Sequence, residues 1–250
     1  MNVSDPVVGI QLYTLRNELA RDVEGTLRAL AQIGYDGVQH SGGAEVLPAS
    51  LMQRVTEETG LRLLGTHAHL PALETSEDEE VAYCRQLHCR HVAIAWTPPE
   101  EHGDVERLAG RMDRAGERLR DAGITLSYHN HAAEFARSGD TTVLDALLAN
   151  TDPQCLMLEL DVAWAAVAGM DPVQYLRRYA GRIPFLHVKD LNTDGTFADV
   201  GEGILPMAEI CRAARDGGTQ FFIVEHDNPT DPFDTARRSL QNLRDIRARG

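Results

Sequence analysis

Ser127-Tyr128-His129-Asn130-His131-Ala132-Ala133-Glu134-Phe135 is the stretch that decides how this chain is read. Ile124 to Tyr128 has the length and residue types of a buried strand. It runs without a break into two histidines, an asparagine and a glutamate. Three later apolar stretches end in the same way: Leu158-Glu159-Leu160-Asp161, Phe185-Leu186-His187-Val188-Lys189-Asp190 and Ile223-Val224-Glu225-His226-Asp227. Strands that only pack have no need to end in imidazoles and carboxylates. Several that do so in succession point to an active site at the carboxyl face of a parallel barrel.

On either side of this stretch the chain alternates strand and helix. Strands are expected at Val7–Tyr13, Tyr35–Gln39, Leu61–Thr66, His91–Trp96, Ile124–Tyr128, Leu156–Leu160, Ile183–Val188 and Phe221–Val224. Helices are expected at Val23–Ile33, Pro48–Thr59, from Ser76 to Leu87, and at Glu101–Asp121. Four more complete the pattern: one from the Asp140-Thr141-Thr142 cap to Leu148, one opened by Asp171-Pro172, and those at Leu205–Ala214 and Pro232–Ile246. Ser76 with Glu79 reads as a capping box, and Pro172 as a proline at the first helical position. Gly42-Gly43 opens the loop after strand two. Eight such units in 250 residues, with no linker or composition break, predict a single α/β domain over residues 1–250, a closed (β/α)8 TIM barrel. An open doubly wound sheet would carry a Gly-x-Gly-x-x-Gly turn after strand one, and Tyr13-Thr14-Leu15-Arg16-Asn17-Glu18 has no glycine.

A net charge of −14 with no Lys/Arg run argues against a nucleic-acid partner. The amino-terminal Met1-Asn2-Val3-Ser4-Asp5-Pro6 lacks a signal-peptide pattern, and no apolar run approaches the ~20 residues of a membrane span. Cys84, Cys89, Cys155 and Cys211 form no Cys-x-x-Cys pair and are expected to be reduced, in a cytoplasmic protein.

Glu134, Asp161, His187 and Glu225 are separated by 27, 26 and 38 residues. The first two intervals are about one β/α unit, and the third contains an extended loop, Asn192 to Ile204. All four side chains can converge above the barrel mouth. Three carboxylates and one imidazole make an oxygen-rich divalent-metal site suited to Mn2+, Mg2+ or Co2+, with catalytic Zn2+ also compatible. Because side chains alternate along a strand, Phe185 and Lys189 should share the face of His187, Glu159 that of Asp161, and Asp227 that of Glu225. Lys189 is then a substrate contact or proton donor, and Glu159 an orienting group. His67, His69 and His131 are candidate substrate contacts, and Trp164 a candidate wall against a sugar ring. His129 or His131 could hold a ligand carboxylate.

Gly9-Ile10-Gln11-Leu12-Tyr13-Thr14-Leu15-Arg16, Tyr128-His129-Asn130-His131 with Glu134-Phe135, Leu160-Asp161-Val162-Ala163-Trp164, His187-Val188-Lys189-Asp190, Gly201-Glu202-Gly203 and Val224-Glu225 resemble the xylose isomerase-like TIM-barrel superfamily. Within it they are most similar to the sugar phosphate isomerase/epimerase branch, with its inosose dehydratases, ketose 3-epimerases and hydroxypyruvate isomerases. The resemblance implies one divalent metal ion on Glu134, Asp161, His187 and Glu225, with Glu134 and Glu225 as the acid/base pair. Two departures stand out. His129-Asn130-His131 occupies the place where ketose 3-epimerases carry the first glutamate, and strand two ends Val38-Gln39-His40 rather than in Val-Glu.

The implied chemistry is proton abstraction beside the carbonyl of a keto-sugar or polyol, through an ene-diolate, leading to isomerisation or epimerisation. Dehydration by the same enolisation is the alternative. The rivals from other classes are a non-catalytic sugar-binding barrel and an apurinic endonuclease, the latter disfavoured by the acidic charge. The implied partner is a small molecule, with no nucleic acid and no membrane. Homo-oligomerisation is left open.

Overall fold

The computed structural model describes residues 5–42, 46–75 and 77–249. The expected cap Ser76, the second glycine of Gly42-Gly43 and the first four residues lie outside the described residues. Eight parallel strands close on themselves: β1 (Val7–Gln11), β2 (Gly37–Ser41), β3 (Arg62–Ala68), β4 (His91–Ile94), β5 (Thr125–His129), β6 (Met157–Asp161), β7 (Phe185–Val188) and β8 (Phe221–Val224). They keep chain order around the barrel, and β8 pairs back onto β1 with Val8 opposite Phe222. The expected (β/α)8 barrel is therefore the observed architecture.

Around it lie helices α1 (Val23–Ile33), α2 (Ala49–Thr59), α3 (Glu77–Gln86), α4 (Val105–Asp121), α5 (Val143–Ala149), α6 (Pro172–Arg178), α7 (Met207–Asp216) and α8 (Pro232–Arg249). The residues that start them act as capping chemistry requires. Asp22, Asp104, Thr142 and Asp171 each accept a backbone N–H of the first turn. Asp104 also explains one difference from expectation. The helix foreseen over Glu101–Asp121 is a 3-10 turn, Pro99–Gly103, and then α4, with Asp104 capping the break. Three further short helices, Arg16–Arg21, Leu70–Thr75 and Val162–Val167, come directly after strand-end segments.

Strand alternation divides the packing. Val8, Val38, Leu126, Tyr128, Leu158, Leu160, Leu186, Val188, Phe222 and Val224 point outward into one continuous core under the helices. The inward positions carry a small apolar plug of Leu64, Phe185 and Ile223. Above the plug the inward side chains are polar. On β7 the inward face runs Phe185, His187 and then Lys189, all buried. The barrel is thus apolar below and ionisable toward its carboxyl end, with the switch made inside single strands.

Helix α4 buries Leu108, Met112, Ala115 and Leu119 at helical spacing. Beside them Gly116 lies flat against the Cys155 backbone, and a Cβ there would overlap the Cys155 carbonyl. Gly116→Ala should therefore destabilise the protein by about 1–3 kcal/mol through overpacking. Denaturant unfolding would read this as a lower midpoint, whereas helix propensity alone would raise it.

Candidate active site

The strand ends bring their side chains to one cavity of about 370 Å3, lined among others by Gln11, His67, His129, His131, Trp164, Glu225 and Asp227. Two sets of donor atoms lie within 4.8 Å of one another: His129, Asp161, His187 and Glu225; and, one layer deeper, His67, His129, Glu159 and His187. Three of the four expected ligands, Asp161, His187 and Glu225, thus come together. Glu134 belongs to neither set. Its carboxylate accepts the Tyr128 hydroxyl at 3.1 Å and the His131 backbone N–H at 2.8 Å. The physical reason is local. Glu134 sits in a 3-10 turn, Ala133–Phe135, beyond the end of β5, so strand parity no longer aims it inward. His129, the last residue of β5 and inward by parity, takes the fourth position. This set offers two nitrogen and two oxygen donors, where the sequence led to three carboxylates and one imidazole.

His187 joins the two layers. Its Nδ1 lies 2.7 Å from Glu225 Oε2, and its Nε2 lies 2.8 Å from Gln39 Oε1 and 2.9 Å from Glu159 Oε1. Burial opposes a charge on this ring, but Glu159 and Glu225 outweigh it and hold the imidazolium up to about 10. Glu159 is gripped in turn by His67 Nε2 at 2.6 Å and the Gln39 amide at 2.8 Å. Burial would raise its carboxyl, yet the His67 and His187 rings keep it well below the usual range.

Lys189 is the chain's one lysine among 24 basic residues. It is 1% exposed, with Nζ at 3.2 Å from Asp161 Oδ2, 3.2 Å from Glu225 Oε2 and 2.7 Å from Asp227 Oδ1. Burial disfavours the ammonium, and those three carboxylates restore it, so its titration moves above the ordinary lysine value. Phe197 and Trp164 cover it at 4.8 and 5.6 Å. Glu225 is driven down despite burial by Lys189 and His187, while burial keeps Asp161 above the usual carboxylate range. Burial also lowers His129 well below, and His131 below, the ordinary imidazole value.

The remaining candidates separate. Trp164 is half-buried and stands 5.6 Å from His131 and 5.2 Å from Phe197, ring to ring. His67 lines the cavity, whereas His69 is exposed at the head of the Leu70–Thr75 helix, where its carbonyl accepts Ala72 and Leu73 N–H. Gln39 and Gln11 are not among the site residues expected from the sequence, yet both lie inside the barrel and bond to one another at 3.3 Å. The available signal is the amide that replaces an acid at the end of strand two. The extended loop after β7 hangs on Asp190, whose carboxylate accepts the N–H groups of Leu191, Gly201, Gly203 and Leu205 at 2.8–3.1 Å. Gly203 has no room for a Cβ beside that carboxylate.

A closed parallel barrel with a cavity at its ionisable carboxyl face defines the class of protein, an α/β barrel. Residues 27–246 match the family described as xylose isomerase-like TIM barrel, and the chain belongs to that family. An inosose dehydratase of Lacticaseibacillus casei is 28% identical over 160 residues, covering 55% of this chain and 53% of its own. The chain spans about half the length of the curated relatives it matches. A sugar phosphate isomerase/epimerase structure from Parabacteroides distasonis ATCC 8503 superposes with a TM-score of 0.84 at 24% identity, covering 97% of this chain and 96% of that one. An L-ribulose 3-epimerase structure gives 0.70 at 20% identity, with 98% and 96% covered. Both structural likenesses are of fold. Among the described residues no helix is long and apolar enough to cross a membrane.

The packing around the site makes two effects measurable. Asp190→Ala removes four bonds to a charged acceptor, and should cost about 3 kcal/mol or more and open residues 192–204 to limited proteolysis. His40 is 1% exposed; burial pulls it down to about 4, and it faces Tyr83 and the Ser41 carbonyl. The unfolded chain takes up that proton near 6.5, so stability is intact above 6.5 and falls as pH drops toward 4. At about 1.4 kcal/mol per unit, His40→Gln should remove roughly 2–3 kcal/mol of the stability difference between pH 7 and pH 4, measured by urea unfolding.

Proposed function

We propose that the chain is a divalent-metal-dependent isomerase or epimerase of a keto-sugar or related polyol, working by proton abstraction beside the carbonyl. The observation that carries this reading is the convergence of His129, Asp161, His187 and Glu225 around one point in the barrel mouth. The donor set fits an ion. Asp161 Oδ2 and His129 Nδ1 are buried without a hydrogen bond among the described residues, and each has a charged neighbour, Lys189 Nζ at 3.2 Å and Glu159 Oε1 at 3.3 Å. Asp161, Glu225 and Asp227 outnumber the Lys189 ammonium that faces them, which suits the cluster to a further cation. Bound there, the cation supplies Lewis-acid polarisation of the carbonyl and a neighbouring hydroxyl. Two imidazoles with two carboxylates favour Zn2+, Co2+ or Fe2+ over Mg2+.

The chain's own groups supply the rest. Glu225, kept ionised by Lys189 and His187, is positioned to accept a proton. His131 stands at the cavity with a neutral ring whose Nδ1 has no partner among the described residues, and serves as the second proton-transfer group. Glu134 holds the His131 backbone and acts as a positioning residue, in place of the base and ligand roles inferred from the sequence. Lys189 presents fixed positive charge to the substrate oxygens, where charge develops as the proton leaves carbon. Return of the proton to the opposite face gives an epimer, and return to the neighbouring carbon an isomer. Expulsion of a β-hydroxyl instead gives dehydration, the second reading, which the inosose dehydratase relatives favour. The free, buried cysteines suit a reducing cytoplasm.

Solvent deuterium exchange at the carbon beside the carbonyl, run on a panel of keto-sugars and inososes, tests the proposal. Exchange should vanish after chelation, return with Zn2+ or Co2+ and return poorly with Mg2+. Asp161→Asn and His129→Leu should each lower it more than about 100-fold. Binding without exchange for the whole panel would make the protein a sugar-binding barrel and overturn the enzymatic reading. Glu159→Gln, which alters the partner of the His187 ring, should weaken ion binding by about 10–100-fold, measured by calorimetry.

A further inference from the structure

A second cavity of about 320 Å3 adjoins the first, and the two share Tyr13 and Ser41 as lining residues. Its character is different. Leu12, Leu19, Val23, Val46 and Leu47 line it, and among the described residues no carboxylate does. Among the described residues, large apolar side chains left exposed are few, and three of the five, Tyr13 (47%), Val46 (51%) and Trp96 (51%), line one or other of these two cavities. Exposed apolar surface gathered at a ligand cavity marks a binding surface.

The junction is braced. The Arg16 guanidinium lies 4.4 Å over the Tyr13 ring, donates to the Tyr13 carbonyl at 3.0 Å and donates to the Asp227 carbonyl at 2.7 Å. The apolar wall is thereby tied to the strand end that carries Glu225 and Asp227. A ligand spanning both cavities would fall within the ~300–1,000 Å3 of ordinary small-molecule sites. A free keto-sugar held by the polar cluster would leave the second cavity unfilled.

We propose that the apolar cavity is a substituent subsite and that the substrate class is a keto-sugar carrying an aryl or alkyl group, that is, an apolar keto-glycoside. This rests on the keto-sugar reading above. A substituent on the anomeric oxygen locks the ring, so the carbonyl of such a substrate is a ring ketone. The polar cavity takes the ketone and its neighbouring hydroxyls, and the substituent passes Tyr13 and Ser41 into the groove.

Calorimetric titration of the Zn2+-loaded protein with methyl and phenyl 3-keto-β-D-glucopyranoside separates the possibilities. The phenyl probe should bind about tenfold or more tightly, from its added apolar burial. Ala20→Phe, at an exposed helix position lining the groove, and Val46→Asp, at an exposed position on its rim, should each bring the ratio of the two dissociation constants to within about twofold. Equal affinity for the two probes in the parent protein, or a phenyl preference that survives both substitutions, would overturn the subsite. Failure of both probes to bind would remove the keto-sugar reading itself and the subsite with it. A parent dimer that Val46→Asp converts to monomer, with the probes bound equally, would assign the groove to a second copy of the chain.

Discussion

No charge at the top of this barrel could be carried there alone. Glu159, Asp161, His187, Lys189 and Glu225 are each 6% exposed or less, and an isolated ion at such depth would neutralise itself before it was tolerated. They persist because each is set against an opposite partner from another strand. Lys189 of the segment after β7 meets Asp161 of β6 and Glu225 beyond β8, and His187 meets Glu159 and Glu225. The partners come from distant parts of the chain, so only the closed barrel brings them together. The rest of the structure serves that closure, with the apolar plug of Leu64, Phe185 and Ile223 below and the continuous hydrophobic shell outside.

The use of lysine at one position sharpens the point. Every other residue of the Lys/Arg type in the chain is an arginine. A guanidinium is planar and broad, and suits bidentate pairing at surfaces, as Arg111 shows against Glu74. At residue 189 the cation must be compact enough to face Asp161, Glu225 and Asp227 at once from within a packed barrel. That is a requirement for a point charge, and it separates Lys189 from the chain's structural cations.

Much of this was legible in the sequence because β-strand alternation is rigid. Once His187 faces inward, Phe185 and Lys189 must face inward too, and the pairs Glu159/Asp161 and Glu225/Asp227 obey the same rule. Legibility ended where the chain leaves the strand. Glu134 lies five residues past His129 and across a 3-10 turn, so its direction is set by that turn and by its bonds to Tyr128 and the His131 backbone. The direction of His69 is lost in the same way. It is two residues from His67, but β3 has already ended at Ala68. Gln39 was hidden differently. An amide at a strand end carries no charge signal, and its role depends on Glu159 and His187, 120 and 148 residues away.

The division between the ring of strand ends and the loop after β7 bears on how one framework could serve several outcomes. On the reading proposed above, proton removal would rest on groups at the strand ends, namely Glu225, His187 and Lys189. On that reading the fate of the deprotonated substrate would depend on the groups around it, and beside the cluster stand His131, Trp164 and Phe197, packed ring against ring. Two of the three stand just past strand ends, on the segments after β5 and β6. The third rides on a loop whose shape is set by one carboxylate, Asp190, accepting four backbone N–H groups. A change in that loop can move Phe197 across Lys189 without disturbing any strand-end donor. On the proposed reading, reaction outcome would therefore diverge through the covering loop while the charged cluster beneath it stays constrained by the energetics of its own burial.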